Sequence, residues 1–385
     1  MHPARGGRIR DVVIAGAGPA GSTLARELAS RGADVLLLEK ERMPRYKPCA
    51  GGVTVRAAAL LPFELGDLIE DVIYKARISF RLRETILKTT EKPITYMVMR
   101  DRFDHLLCSK ASQAGAEVRE NEAVLRLSQG RDSVRVEMTS GTVDARFVVG
   151  ADGAGSTVAT SCGLMTSVRR HFGLQAEVET SDEILSRWRG TVGLDFGLIP
   201  TGYTWVFPKS THLSVGAGAP AGLANQLRHR LSAQLHYLGL AQESVTRLRG
   251  HGMPLRRRGQ AIVKGRCLLI GDAAGLMDPF TGEGIYSAVK SALLATPAIL
   301  NGLASGPDAT KEYQRAVDLE MLPEARLAWG LSRLAAIAPH IIYKRFCDDA
   351  RVWQWFCMFL RGDTTYASLV KNLGPFRRLL RQAAL

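Results

Sequence analysis

Several features are missing from this chain of 385 residues, and each absence excludes a class of protein. Its six cysteines form no Cys-x-x-Cys pair, and neither they nor the eight histidines cluster at the spacing of a metal site. We therefore predict reduced thiols and no bound metal. No Gly-x-Ser-x-Gly run is present, which argues against an α/β hydrolase. No window holds eighteen consecutive apolar residues, so the sequence predicts no membrane-spanning helix.

Acidic residues are also few, since 37 Asp and Glu stand against 51 Lys and Arg, giving a net charge of +14. Such a balance favours nucleic acid, an anionic membrane surface or an anionic substrate as partner. No nucleic-acid-binding module is recognisable, and the arginines are dispersed apart from Arg256-Arg-Arg258. We therefore predict no nucleic-acid partner. The basic start precedes a predicted strand, which argues against a signal peptide. We expect a cytoplasmic protein. Peripheral attachment to the inner face of a membrane is compatible with this location.

What the sequence does contain is a dinucleotide-binding signature near its start. The run Asp11-Val-Val-Ile-Ala-Gly-Ala-Gly-Pro-Ala-Gly21 is an apolar strand entering a three-glycine turn, and Leu36-Leu-Leu-Glu39 closes a second apolar strand. This pattern predicts a strand–helix–strand unit in which the turn and the helix N-terminus hold a pyrophosphate and the carboxylate binds a ribose. The residues predicted to serve the cofactor here are Gly16, Gly18, Ala20, Gly21 and Glu39.

Two later segments decide which dinucleotide is expected. Phe147-Val-Val-Gly-Ala-Asp152-Gly153 and Arg266-Cys-Leu-Leu-Ile-Gly-Asp272-Ala-Ala-Gly275 are apolar strands that end in a carboxylate, and Pro279-Phe-Thr-Gly282-Glu-Gly284-Ile285 follows the second. A strand ending in Gly-Asp can direct its carboxylate at a ribitol hydroxyl. The glycine turn then begins a helix whose N–H groups face a flavin or its phosphates. Strand ends spread so widely along the chain do not fit a simple nicotinamide domain, so we predict FAD.

These segments resemble the FAD-dependent reductase and hydroxylase superfamily whose fold is shared with p-hydroxybenzoate hydroxylase. The resemblance implies that Asp272 meets the ribitol and that Gly282, Gly284 and Ile285 lie beside the flavin. Arg100, in Arg-Asp-Arg-Phe-Asp104, matches the arginine that reaches the flavin chain, and the alternative for it is a surface helix-cap arginine. The superfamily also places the strand backbone at Val124 near the adenine.

Two further motifs resemble the geranylgeranyl reductase family. Arg45-Tyr-Lys-Pro48-Cys49-Ala-Gly51-Gly52 contains a Cys-x-Gly-Gly turn, and Pro200-Thr-Gly-Tyr203-Thr-Trp205-Val-Phe207-Pro208-Lys209 contains a Tyr-x-Trp-x-Phe-Pro strand. The resemblance covers residues 11–301 and implies that Cys49, Ala50 and Gly52 lie near the flavin. Related flavin halogenases carry a Trp-x-Trp-x-Ile-Pro run instead, and no such run occurs here.

The residues of these motifs also carry a physical interpretation. Tyr203, Trp205 and Phe207 alternate, so as a strand they share one face, where they either wall an apolar tunnel or form ordinary sheet packing. Cys49 lies between a proline and a flexible turn, either as a proton donor or as a small cavity-lining residue. We predict Cys49, Tyr203 and Trp205 as catalytic, and Tyr203, Trp205 and Phe207 as substrate-binding.

The fold class expected is α/β, in an α+β arrangement of two domains. A Rossmann-like FAD-binding domain is predicted over 1–75, 99–160 and 265–301, and a substrate-binding antiparallel sheet domain over 76–98 and 161–264. A helical C-terminal region covers 302–385. The long helix that begins at Ile285 is expected to bend or end near Pro297.

The end of the chain is basic and aromatic. Residues 324–385 hold ten Lys or Arg against four Asp or Glu. The runs Trp353-Gln-Trp-Phe-Cys-Met-Phe-Leu-Arg361 and Phe376-Arg-Arg-Leu-Leu-Arg381 combine these residues as interfacial helices do, which predicts contact with an anionic membrane surface. The alternative is that they pack on the catalytic part with solvated arginines.

The resemblance implies an FAD-dependent reductase that saturates isolated C=C bonds of a polyprenyl chain. The chain would be carried on a diphosphate, lipid, pigment or quinone, and hydride would come from reduced flavin. The alternatives are an FAD-dependent monooxygenase of the same fold and a non-catalytic prenyl-binding carrier. There is no second dinucleotide fingerprint, so the electron donor is expected to be NADPH bound transiently or reduced ferredoxin.

Overall fold

The computed structural model describes residues 8–240 and 244–372, and three sheets organise them. The strands are β1 (Arg10–Ala15), β2 (Val35–Leu38), β3 (Gly52–Thr54), β4 (Ile69–Ile73), β5 (Lys75–Phe80), β6 (Glu84–Thr89), β7 (Thr95–Val98), β8 (Glu117–Arg119), β9 (Val124–Gln129), β10 (Val134–Met138), β11 (Gly141–Gly150), β12 (Arg169–Glu179), β13 (Thr191–Phe196), β14 (Tyr203–Pro208), β15 (His212–Pro220), β16 (Val245–Leu255), β17 (Val263–Lys264) and β18 (Cys267–Leu269). The helices are α1 (Pro19–Ala29), α2 (Val55–Ala58), α3 (Arg100–Gln113), α4 (Thr157–Cys162), α5 (Asp182–Ser186), α6 (Leu227–Tyr237), α7 (Ile285–Ser305), α8 (Lys311–Glu320), α9 (Leu322–Ile337), α10 (Pro339–Asp348), α11 (Ala350–Arg361) and α12 (Tyr366–Asn372).

The first sheet has eight strands and contains the dinucleotide signature. Its order is β17-β18-β11-β1-β2-β8, with the β9–β10 hairpin attached to β11. The strands from β18 to β8 run parallel, and helices α1 and α7 contribute to the core that covers them. Burial on both faces explains why these strands read as continuous apolar runs. Because they are parallel, β1, β2, β11 and β18 all end at one edge, where Ala15 pairs with Leu38 and with Gly150.

The glycine turn after β1 requires its glycines for different reasons. Gly16 has φ +97°, and a Cβ there would lie 2.5 Å from the carbonyl oxygen of Ala151. A Cβ on Gly21 would lie 1.9 Å from the carbonyl oxygen of Gly16. Any larger residue at position 21 would push α1 away from the turn, as the close-packing interpretation predicts.

The second sheet has seven strands in the order β16-β12-β15-β14-β13-β5-β6. Its pairs are antiparallel except β5 with β13, which run parallel because the long connection between them returns to the same end of the sheet. Along β14, Thr204 and Val206 are buried on the side of α6, where the Thr204 hydroxyl donates to Gln234. The alternate residues of β14 therefore face the opposite side.

The third sheet is small and consists of β3, β7 and β4. The predicted segment 76–98 therefore contributes to two sheets. Strands β5 and β6 belong to the seven-stranded sheet, whereas β7 pairs with β3 and β4. The third sheet thereby joins the Cys-x-Gly-Gly turn to β7, next to the start of α3. The domain division itself stays a prediction.

Helix α7 continues through Pro297 to Ser305, so of the two expectations for that proline, a bend or an end of the helix, the end is wrong. Pro297 removes one backbone donor, which usually breaks a helix. Ala295, Ala298 and Ile299 are nonetheless buried against the eight-stranded sheet. This packing on both sides of the proline holds the helix together where local propensity alone would not.

The C-terminal helices pack against the seven-stranded sheet, and this corrects the interfacial interpretation of 353–361. Trp353 and Phe359 are buried, and the Trp353 Nε1–H donates to the carbonyl oxygen of Thr89 at 2.7 Å. Aromatic residues that a periodic pattern assigned to lipid are thus used for internal packing. The run 376–381 lies outside the described residues. Across the described ranges, no helix combines the length and apolarity needed to cross a membrane.

Candidate functional site

A cavity of about 550 Å³ lies at the carboxyl edge of the parallel strands, between the two larger sheets and the C-terminal helices. Nearly all of the predicted site residues line it. They are Gly16, Gly18, Ala20, Glu39, Cys49, Ala50, Gly52, Arg100, Val124, Tyr203, Trp205, Phe207, Asp272, Gly282, Gly284 and Ile285. Gly21 is not among the lining residues, because it packs behind the turn against Gly16.

One end of the cavity fits the nucleotide half of FAD. Helix α1 begins at Pro19 and Gly18 before it provides no side-chain cap, and a Cβ on Gly18 would find its nearest atom, on Arg45, at 3.9 Å. The helix N-terminus therefore faces open space suited to a phosphate. Glu39 Oε2 accepts a hydrogen bond from the Ala17 N–H at 2.9 Å, which fixes the carboxylate at the end of β2. A buried Asp152 oxygen, Oδ1, has no protein partner.

Arg100 is held at the start of α3 and is not a surface residue. Its side chain is 11 % exposed, and Nε and Nη2 donate to the two carboxylate oxygens of Asp104 at 2.8 and 2.9 Å. Burial alone would lower the pKa of Arg100, but Asp104 and the Cys49 thiol beside it raise that pKa, so the guanidinium stays charged. Arg45 also donates to Asp104, at 2.9 Å. Two arginines thus converge on one buried carboxylate beside the predicted flavin chain.

Asp272 lies in a row of ionisable groups, of which His251 and Lys47 received no role in the sequence analysis. Its Oδ2 lies 3.5 Å from His251 Nε2, and His251 Nδ1 lies 3.3 Å from Lys47 Nζ. Burial alone would raise the pKa of Asp272, but the hydrogen bond and charge of His251 hold it below its usual value. Burial, followed by the charge of Arg100, lowers the pKa of Lys47. His251 carried no signal in the sequence, because it lies in β16, outside every motif.

The turn before α7 is fixed from two sides. Gly282 has φ +73°, and the Tyr203 hydroxyl donates to the carbonyl oxygen of Thr281 at 2.5 Å. On the other side, Asp278 Oδ1 accepts from the N–H of Thr281 at 2.8 Å and from the hydroxyl of Tyr366, in α12, at 3.1 Å. The predicted flavin segment is therefore held by both the seven-stranded sheet and the C-terminal region.

The three alternating aromatics of β14 form one wall of the cavity. The rings of Tyr203 and Trp205 lie 5.8 Å apart, and Trp205 Nε1–H donates to Gln175 Oε1 at 2.9 Å. A Cβ on Gly216 would lie 2.2 Å from Trp205 Cζ2, so the indole rests on backbone that only glycine leaves uncovered. The position and the tilt of the indole are therefore both fixed.

The Cys-x-Gly-Gly turn lies beside this wall and is held by a buried lysine. Lys209, at the end of the aromatic strand, is 1 % exposed, and its Nζ donates to the Ala50 carbonyl at 2.7 Å. Burial lowers the pKa of Lys209 to about 8. Gly51 has φ +69°, and its N–H lies 3.4 Å from Cys49 Sγ. The sequence analysis assigned Lys209 no role. Its position continues the two-residue alternation of Tyr203, Trp205 and Phe207, and this spacing already indicates a lysine on the same face as the aromatics.

A second buried contact ties the same segment to the seven-stranded sheet. The Tyr46 hydroxyl donates to Glu177 Oε1 at 3.0 Å, and His212 Nε2 lies 3.3 Å from Glu177 Oε2. Burial alone would raise the pKa of Glu177, but the adjacent His212 ring and the hydrogen bond from the Ser214 hydroxyl lower it, so the carboxylate remains ionised. Of the residues that the structure describes, no group of three or more His, Cys, Asp or Glu could hold a metal ion.

Comparisons with known proteins agree with this geometry. Residues 10–305 match the FAD binding domain family. The chain is 30% identical over 365 residues to the chloroplastic geranylgeranyl diphosphate reductase of Nicotiana tabacum, covering 89% of this chain and 76% of that protein. A geranylgeranyl bacteriochlorophyll reductase-like protein of Thermoplasma acidophilum superposes with a TM-score of 0.76 at 24% identity, over 86% of this chain and 88% of that one. A flavin-dependent brominase shares the fold, with a TM-score of 0.74 at 18% identity over 96% of this chain and 100% of the brominase.

Proposed function

Because the chain belongs to the geranylgeranyl reductase family of FAD-binding oxidoreductases, we propose that it saturates isolated C=C bonds of a polyprenyl chain. The carrier of that chain is a diphosphate, lipid, pigment or quinone. Reduced FAD, when bound, supplies the hydride. The observation that supports this proposal is the position of the aromatic wall, because one cavity contains both that wall and the residues predicted to hold the cofactor.

The residues of the cavity suit an unactivated alkene. Such a bond has no carbonyl to polarise, so the protein must contribute alignment and exclusion of water. Tyr203, Trp205 and Phe207 line one side, and Phe346 and Leu360 of the C-terminal helices also line the cavity. A flexible prenyl chain confined between such walls loses the freedom to slide past the cofactor.

Cys49 lines the same cavity as the aromatic wall and lies beside Arg100. We propose that it either donates the proton to the second alkene carbon or lines the cavity while a water donates. The electron donor is proposed to be NADPH, bound transiently, or reduced ferredoxin, since the sequence contains one dinucleotide fingerprint.

The proposal is tested by mixing the anaerobically reduced protein with geranylgeranyl diphosphate and related polyprenyl compounds, followed by mass spectrometry. A reductase adds the mass of two hydrogens for each bond reduced. A product that gains one oxygen, formed only in air, would show a monooxygenase instead. A purified protein without flavin absorbance that takes up no added FAD would indicate a prenyl carrier.

A first prediction concerns cofactor retention. Glu39→Ala and Asp272→Asn are expected to release FAD during dialysis, because each removes a charge-assisted hydrogen bond of about 1.5–3 kcal/mol from the cofactor. Flavin absorbance per folded protein is the measurement, and the exposed Glu91→Ala is the matched control. Full flavin occupancy in both site variants would overturn the assignment of these two carboxylates.

We also propose that an anionic membrane surface is a partner, through the corner between α9 and α10. Ile337 and Ile341 are 81 % and 60 % exposed there, beside the exposed basic residue Lys344. Pro339, from the same corner, lines the cavity, so lipid at this surface would be close to the cavity opening.

Ile337→Asp combined with Ile341→Asp is therefore expected to lose binding to vesicles that contain anionic lipid, because the apolar contact is removed and charge repulsion is added. Binding by the wild type should weaken as salt rises. Vesicle co-sedimentation is the measurement, with flavin absorbance as the folding check. Leu319→Asp, which changes a residue 77 % exposed on α8, is the control. If the double variant and the control sediment equally with vesicles, this corner is not the membrane surface.

A further inference from the structure

A second pocket, of about 570 Å³, adjoins the cavity where α9 crosses the start of β12. Three residues line both spaces: His171, Thr201 and Ser332. The cavity and the pocket therefore meet at a shared wall, which lies at the seven-stranded sheet and away from the glycine turn. A long molecule that lies along the aromatic wall has one end directed toward this junction.

The lining of the second pocket differs in chemistry from that of the cavity. Arg169 and Arg170 come from β12 and Arg333 comes from α9, and the described residues that line the pocket include no carboxylate. The guanidinium of Arg169 lies 5.5 Å from the centre of the Trp329 ring, which restricts its movement. Three guanidiniums drawn from two elements therefore give this pocket a local positive field.

The residue at the junction is neutral. Burial lowers the pKa of His171 to about 4, and its ring stands edge-on to Trp329 with the ring centres 5.9 Å apart. The positive charge of the pocket therefore comes from the arginines and not from the histidine. The boundary between the apolar cavity and the cationic pocket is a neutral ring with hydroxyls from Thr201 and Ser332 beside it.

We infer that this arginine-lined pocket binds the phosphate or diphosphate ester at the head of a prenyl substrate while the hydrocarbon chain lies in the cavity. The inference rests on the proposed function. Arginine suits this ligand because its planar fork donates two parallel hydrogen bonds to phosphate oxygens, and because guanidinium is weakly hydrated and gives up water readily. Anchoring the charged head at a fixed point sets which double bond of the chain reaches the cofactor.

The test compares ligands with and without phosphate. Wild-type holoprotein and the double variant Arg169→Gln/Arg170→Gln are titrated by calorimetry with geranylgeranyl diphosphate, geranylgeraniol and inorganic diphosphate. Both arginines are exposed, so the variant is expected to fold and to keep its flavin. Arg187→Gln, an exposed arginine in a different part of the same sheet domain, is the control.

We expect the double variant to bind geranylgeranyl diphosphate about a hundredfold more weakly, since each lost charge-assisted contact accounts for about tenfold. Binding of geranylgeraniol should change less than about twofold, because its chain is held by the cavity. In turnover, KM for the diphosphate should rise more than kcat falls. A geranylgeranyl phospholipid in detergent micelles forms a second arm, and the ester that loses more affinity identifies the source of the head group.

The outcomes separate this inference from the proposed function. Equal affinity of wild type and double variant for both phosphate esters would overturn the pocket assignment, even if the alkene is reduced normally. Equal losses for geranylgeraniol and the esters would also overturn it, since the effect would then come from the shape of the cavity. Arginine-dependent binding of the esters without reduction of any substrate would support the pocket and refute the reductase.

Discussion

Trp205→Ala is expected to lose most alkene reduction while FAD remains bound. The indole forms the middle of the aromatic wall and is fixed by Gln175 on one edge and by the glycine backbone beneath it. Its removal frees the prenyl chain to shift, and a slip of about 1 Å between reacting atoms costs on the order of a hundredfold in rate. Turnover per flavin-loaded molecule is the measurement, so that any loss of folded protein is taken into account.

The neighbouring residue on the same strand provides the matched control. Val206 is fully buried on the opposite face, against α6, and does not line the cavity. Val206→Ala should lower the melting temperature but leave turnover per folded molecule unchanged. If Trp205→Ala behaves in the same way, and its activity follows the folded fraction after a loss of about 3–5 kcal/mol, the aromatics are sheet core and not a substrate wall.

Two variants of Cys49 distinguish the two roles proposed for its thiol, proton donor and cavity-lining group. Cys49→Ala is expected to keep FAD and to lose most turnover, because the residue lines the cavity together with the aromatic wall and lies beside Arg100. Serine occupies a similar volume but is a poorer acid. Near-normal turnover of Cys49→Ser would therefore exclude the thiol as the essential proton donor and leave the cavity-lining role.

Lys209→Met is expected to fold and to bind FAD, yet to lose at least about tenfold in turnover, because correct alignment of the reacting groups is worth that much. Lys209 Nζ is the donor that holds the Ala50 carbonyl, so without it the Cys49 turn is free to shift. The stability of the protein at neutral pH should change little or rise, since replacing a buried charge by an apolar side chain of similar volume is often neutral or stabilising.

The pH dependence of stability gives a readout that is independent of activity. Lys209 has a pKa of about 8 when folded and 10.5 as its ordinary value. Between these values the unfolded chain holds a proton that the folded protein has released, so the free energy of unfolding rises with pH, by on the order of 3 kcal/mol in total. Lys209→Met should lack this rise relative to the wild type across pH 8 to 10.5. Parallel pH curves for the two proteins would contradict a buried, titrating Lys209.

Much of the site could be predicted because its parts are local in sequence. The glycine turn after β1 depends on contacts between residues 16 and 21, and the shared face of Tyr203, Trp205 and Phe207 follows from the two-residue period of a strand. Both are read directly from neighbouring residues. The parallel arrangement then brought three separate strand ends to one edge, which the repeated strand-to-carboxylate pattern already indicated.

Other features depend on contacts between distant segments, and no local pattern contains them. His251 meets Asp272 only because β16 closes the edge of the seven-stranded sheet. The helix α7 passes through Pro297 because burial on both sides outweighs a local penalty. The aromatic run around Trp353 has the periodicity of an interfacial helix, but a tertiary surface, not lipid, receives its apolar face.

The sequence by itself therefore determined the dinucleotide unit, the FAD-binding family and the wall of aromatic residues, because each is encoded by spacing over a few residues and by backbone positions that only glycine can occupy. The tertiary structure alone decided that Lys209 holds the Cys49 turn, that the C-terminal helices enclose the cavity, and that arginines from β12 and α9 adjoin it. Those arrangements arise from burial and charge shared between segments far apart in the chain, and they exist only once the sheets have packed.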